Sequence, residues 1–121
     1  MRLKPSEIFY SQDSICKKFN NGDTIYSTLN ECRDNLLQVD SIPNIRVCPK
    51  NGRWYTLDNR RLWGFKRLEE EGRITDIEVD TVGSGLLTAE KFTTENGGVS
   101  IRIRSSCARW SDDEDDDGGL W

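Results

Sequence analysis

Asn51-Gly52 is the feature that most narrows what this chain can become. Both residues tolerate positive φ, which a two-residue type I′ turn demands at its two central positions. The flanks agree. Ile45-Arg46-Val47 alternates apolar and charged residues before the turn, and Arg53-Trp54-Tyr55-Thr56-Leu57 reads as the returning strand, ended by Asp58-Asn59. The spacing predicts a helix directly afterwards, over about 60–71: Leu62, Phe65 and Leu68 make an apolar stripe, Glu69 to Glu71 trail it, and Gly72 closes it.

Weaker signals fill in the rest. Leu3 to Ile8 reads as a short extended stretch and a turn. Ser11 is placed to cap a helix over roughly 12–20, with Asp13 in its first turn, Ile15 and Phe19 on one face, and Asn21-Gly22 as its stop. Thr28-Leu29-Asn30-Glu31 matches a capping box and predicts a second helix over about 29–37, with Leu29, Cys32 and Leu36 as its buried stripe. Asp40-Ser41-Ile42-Pro43 breaks it. Ile74, Ile77 and Val79 mark a strand near 74–80, Gly83-Ser84-Gly85 and Asn96-Gly97-Gly98 are turns, and Leu86 to Phe92 is a short helix or an irregular segment. Val99, Ile101 and Ile103 alternate with Ser100, Arg102 and Arg104, as in a half-buried last strand. The sum is an α+β fold, a mixed sheet with packed helices over residues 1–106, followed by an acidic, disordered tail over 107–121.

At 121 residues the chain suits one domain, and it can bury a core without staples, which chains below roughly 70–80 residues need. No apolar run approaches the roughly 20 residues of a membrane helix, and Met1 to Pro5 lacks the apolar centre of a signal peptide, so no membrane association is expected. The absence of histidine removes Ser-His-Asp triads, Cys-His pairs, HExxH zinc sites and imidazole acid–base chemistry. Residues 112–117 are six consecutive acids, so the formal net charge of −4 hides a body, residues 1–111, with 17 Lys and Arg against 15 acids. Such a run is a solvated tail, or one that docks on a basic partner protein. Ser111, immediately before it, is a candidate phosphorylation site. Four cysteines, at 16, 32, 48 and 107, form no CxxC motif and no zinc-knuckle spacing. They are expected to be free and reduced, in a cytoplasmic or nuclear setting.

The chemistry concentrates where the returning strand meets the central helix. Arg60 and Arg61 stand on the first helical turn, where they oppose the helix dipole unless an anion compensates. Guanidinium suits two-pronged recognition of phosphate. The alternative is an ion pair with Asp58 and a solvated second arginine. Ser11, Gln12 and Ser14 could offer hydroxyls and amides to the same anion, or simply cap a helix. Asp58 could hold Mg²⁺ beside a nucleoside triphosphate, since hard cations take carboxylate oxygen, or serve as a cap or an arginine partner. Arg53, Trp54 and Tyr55 could contact nucleic acid by stacking bases and gripping a backbone, although such aromatics also fill cores.

The order "IPNIRV", "YTLDNRRLWGFKRLEEEG", "IEV", with the opening "LKPSEIFYSQDSI", resembles the ParB N-terminal/sulfiredoxin-like superfamily over about residues 3–82. The resemblance implies a small α+β fold that binds phosphate groups; its branches include CTP-binding partition proteins, ATP-using sulfiredoxins, a free-serine kinase and nucleases. Arg60 and Arg61 fall where partition proteins carry the paired arginines of a GERR motif, with Asp58 and Asn59 in place of its Gly and Glu. The glutamate that would serve metal-assisted CTP hydrolysis is therefore missing. Asn59 and Arg60 also stand where sulfiredoxins have their catalytic Cys and His, which argues against that activity. The expectation is a stand-alone ParB-like domain binding a nucleotide or a nucleic-acid backbone through Asn59, Arg60, Arg61, Ser11, Gln12 and Ser14. Phosphoryl transfer or phosphodiester hydrolysis would rest on Asp58 with Mg²⁺. The competing expectation is a non-catalytic interaction module that uses its surface and tail to bind a partner protein.

Overall fold

The computed structural model describes residues 1–18, 24–34, 38–88 and 91–104. The expected tail over 107–121, Ser111, Cys107, and the predicted helical positions Phe19 and Leu36 lie outside them.

The hairpin forms as its turn residues dictate. Strands β1 (Arg2–Leu3), β2 (Ile8–Phe9) and β3 (Ser14–Cys16) precede helix α1 (Ile25–Arg33), and β4 (Ile45–Lys50) then turns into β5 (Arg53–Thr56). Asn51 and Gly52 have φ of 54° and 79°, as the type I′ turn requires. The register pairs Lys50 with Arg53 and Val47 with Thr56. Helix α2 (Asn59–Glu70) follows, then β6 (Ile77–Thr81) and β7 (Arg102–Arg104). Five strands make one mixed sheet in the order β1-β6-β4-β5-β2, in which β6 runs parallel to β4 and β2 parallel to β5. Pro49 has no amide to donate, and it falls where β4 has run past β6, whose pairing with β4 ends at Val47 and Thr81.

The two helices cover one face of this sheet. Ile25, Leu29 and Cys32 of α1 and Leu62, Phe65 and Leu68 of α2 bury the stripes that helical periodicity demands, against Ile45, Val47 and Val79 of the sheet. Leu62 and Leu68 are fully buried, each worth about 1.5–3 kcal/mol of transfer free energy. On the opposite face Cys48, Tyr55 and Leu87 form a smaller cluster with Phe9, Leu57, Val82 and Phe92.

Four sequence expectations change. The helix over 12–20 is instead β3, paired in parallel with β7 across more than eighty residues of sequence. Ser11, Asp13 and Ser14 have weak helix propensity, and the long-range ladder outweighs it. Helix α1 begins a turn earlier than the predicted start at 29. Thr24 caps it, accepting the Ser27 amide at 3.2 Å while the Thr24 amide donates to the Ser27 hydroxyl at 3.0 Å. Serine here performs the return contact usually made by Glu, and the earlier start buries Ile25 completely. The alternating stretch 99–104 pairs only over β7, with Val99 65% exposed. The cysteine expectation holds for Cys32 and Cys48, which are free and buried, but not for Cys16, which is disulfide-bonded.

Candidate anion-binding site

β5 delivers the chain to α2 through a buried hydroxyl. Thr56 is fully buried; its Oγ1 donates to the Arg46 carbonyl at 3.1 Å and accepts the Asp58 amide at 2.9 Å. Asp58 is thereby held at the N-cap position of α2, yet its carboxylate does not cap the helix. It turns toward β4 and accepts from the Arg46 amide at 2.7 Å, from Nη2 at 2.8 Å and from Nε at 3.2 Å. Arg61 Nη1 lies 3.6 Å from the same carboxylate and donates to the Asn44 carbonyl at 3.5 Å. The first turn of α2 contains no acidic residue. Arg46 and Arg61 are thus gathered around one carboxylate at the positive end of the helix dipole, and Arg60 stands on the same first turn.

The loop over 11–14 reaches the same place. Asn59, 5% exposed, accepts the Ser11 amide at 2.9 Å and the Gln12 amide at 3.3 Å through Oδ1, and its Nδ2 donates to Ser11 Oγ at 3.1 Å. The loop and the helix start thus lie side by side. The chemistry differs from the expectation: the Ser11 and Gln12 amides and the Asn59 amide group are engaged with one another, as a buried polar set must be. Ser14 is buried, with its hydroxyl 3.4 Å from Asp13 Oδ1. Of the expected phosphate ligands, Arg60, Arg61 and Gln12 are partly exposed, whereas Asn59, Ser11 and Ser14 point inward.

Arg53, Trp54 and Tyr55 lie toward the hairpin end of β5, away from Asp58. The Arg53 guanidinium stacks 4.5 Å from the Phe9 ring centroid and donates to the Gly97 carbonyl at 3.0 Å. Tyr55 is buried, edge-on to Phe92 with centroids 4.9 Å apart, and Trp54 packs on the main core. A base could stack on Tyr55 only by opening that cluster.

As a resident metal ligand Asp58 does not fit this geometry, because guanidinium groups already contact both of its oxygens. Among the described residues no three Cys, Asp or Glu side chains converge as a metal site. Arg46 is the member that sequence reasoning missed. No helix among the described residues is long and apolar enough to cross a membrane. Comparisons with family models, curated proteins and solved structures return no match.

Proposed function

We propose that the start of α2 binds a phosphate-bearing ligand, a nucleotide or a nucleic-acid backbone, in the manner of a ParB/sulfiredoxin-like domain. One observation carries this reading: Arg46 and Arg61 converge on a helix N-terminus whose N-cap carboxylate orients arginines instead of capping amides, and Arg60 stands on the same turn. A structural ion pair would need only one arginine. Arg60 and Arg61 are the ligand-binding groups, Arg46 and Asp58 set the position of the cluster, and Asn59 with Ser11 fixes the backbone behind it. Mg²⁺, where it takes part, would arrive with a nucleoside triphosphate. If turnover accompanies binding, electrostatic stabilisation by the arginines supplies it, because neither histidine nor a free carboxylate pair stands at this position as a general base.

The test is calorimetric titration with tripolyphosphate and with nucleoside triphosphates, with and without Mg²⁺. Arg60→Ala and Arg61→Ala are each expected to weaken binding by roughly 1.5–3 kcal/mol and to leave the circular dichroism spectrum unchanged. Equal affinity in the parent and both variants would remove the site. A cytoplasmic or nuclear setting belongs to the same proposal. The alternative, a non-catalytic module that binds a partner protein, draws on the engagement of Asp58 and Asn59 in internal contacts, and it is favoured if triphosphates do not bind.

A further inference from the structure

Lys66, on the middle of α2, is not placed like an ordinary surface ammonium. Its Nζ lies 5.4 Å from the centroid of the Tyr10 ring, and the residue is only partly exposed. Among the described residues that Nζ has no hydrogen bond and no ion pair. Helical spacing offers it two carboxylates, Glu69 three residues on and Glu70 four. Both are engaged elsewhere. The Glu69 carboxylate accepts the Ser6 amide at 2.8 Å and the Ser6 hydroxyl at 3.0 Å, and Glu70 pairs with Arg67 at 3.0 Å. Burial lowers the pKa of the ammonium, and the charges of Glu69 and Glu70 offset this only in part.

The ring beneath Lys66 adds an independent observation. Tyr10 is 4% exposed, yet its hydroxyl has no hydrogen-bond partner among the described residues. A buried phenol usually finds one. Burial raises this phenol well above its ordinary value, while Arg67 and Glu70 act on it in opposite directions, so it stays a neutral donor. A half-buried amine without a counter-ion and a donor without an acceptor therefore meet on one aromatic ring. Lys50 is the nearest comparison: its Nζ lies 5.0 Å from the Phe92 centroid, but that ring carries no hydroxyl.

We propose that Lys66 is an acylation site, its amine attacking an acyl thioester whose carbonyl oxygen takes the hydrogen bond of the Tyr10 hydroxyl. The ammonium first gives one proton to solvent. The nitrogen lone pair then forms the N–C bond, the C–S bond breaks, and the departing thiolate takes a second proton from nitrogen. The products are a neutral amide, a thiol and one proton in solution. A donor aimed at the carbonyl oxygen stabilises the charge that gathers there during attack. The product suits the place, because a neutral side chain carries none of the desolvation cost of an unpaired ammonium. The proposal is independent of the anion-binding reading.

The full chain tests this with acetyl-coenzyme A as the probe. Acetylation of each lysine is followed by peptide mass spectrometry, in buffer and in urea. In the folded chain Lys66 is expected to react several-fold faster than Lys50 and than the exposed Lys4 and Lys91. In urea, where burial and the ring contact are lost, that advantage is expected to vanish. Equal or slower reaction of Lys66 in the folded chain would overturn the site and leave a lysine that only lays its stem along the protein surface. Tyr10→Phe keeps the ring and removes the donor. It is expected to bring Lys66 down to the rate of Lys50 and to leave Lys50 unchanged; an undiminished Lys66 rate would overturn the part given to the phenol. Should that variant fail to fold, the near-ultraviolet tyrosine difference spectrum of the parent on acetylation reads the new phenol hydrogen bond, and an unchanged spectrum counts against the phenol in the same way.

Discussion

Asp58 stands 13% exposed between Arg46 and Arg61, and its replacement separates two roles for a carboxylate at this position. Asn keeps the shape and can still accept the Arg46 amide, but it no longer offsets positive charge. If Asp58 orients the arginines, Asp58→Asn should tighten tripolyphosphate binding measured without divalent cation by roughly 1 kcal/mol, about fivefold, the scale of one exposed ion pair. If Asp58 instead holds Mg²⁺, the same change should weaken Mg²⁺-triphosphate binding; calorimetry in the two buffers decides. The contacts of Asp58 were only half legible in the sequence. Arg61 lies three residues along the helix and was foreseeable. Arg46 was available too: the two-residue turn fixes the register that pairs Val47 with Thr56, and one further step puts Arg46 beside Leu57 and Asp58. Asn59 is different. Its value as a buried bracket for Ser11 depends on a contact across 48 residues that no local pattern announces.

The same division runs through the elements. The hairpin and α2 rest on short-range signals, a left-handed turn pair and an apolar stripe, and both were read correctly. β3 needed its distant partner β7 before it could be recognised, so local cap signals at Ser11 misdirected the reading. α1 shows a third case, in which two capping boxes compete one turn apart. Thr24 and Ser27 bond each other reciprocally, whereas Thr28 is buried within the helix. Thr24→Ala is therefore expected to cost about 1 kcal/mol in urea unfolding. Had α1 begun at the predicted box, that substitution would leave the unfolding midpoint where it was.

Across the whole molecule, the far ends of the helices meet at a charge cluster. The Glu71 carboxylate accepts from Arg33 at the end of α1 and from Arg73 just beyond α2, and Arg73 Nη1 also donates to the Arg33 carbonyl at 3.1 Å. The hydrogen bond from Arg33, and then that from Arg73, hold the Glu71 carboxyl below its ordinary value of 4.5. A depressed carboxyl contributes stability that is present above its unfolded value and is lost as pH falls through its folded one. Glu71→Gln should thus lower the melting temperature near neutral pH, and the deficit should shrink as pH falls through the lowered folded-state value, where the parent also loses its charge. A deficit of constant size throughout that fall would mean that Glu71 acts through packing alone. The cluster joins α1 to α2 on the side remote from Asp58, so the variant is expected to bind tripolyphosphate as the parent does.

The strand order carries a further consequence, for self-association. The outermost members of the five-stranded sheet, β1 and β2, are two residues long each, so that sheet offers little backbone on which another chain could template. The β3–β7 ribbon is different, because among the described residues each of its strands has just one partner, and both carry an isoleucine at the middle position. Opening that ribbon would bare two unsatisfied edges. On β7 the flanking Arg102 and Arg104 act as gatekeepers, charged residues that disfavour stacking of like strands. The sequence Ser-Ile-Cys of β3 carries no charge within the strand, its charged neighbours Asp13 and Lys17 standing just outside it. Domain-swapped or fibrillar forms of this chain would therefore start at β3.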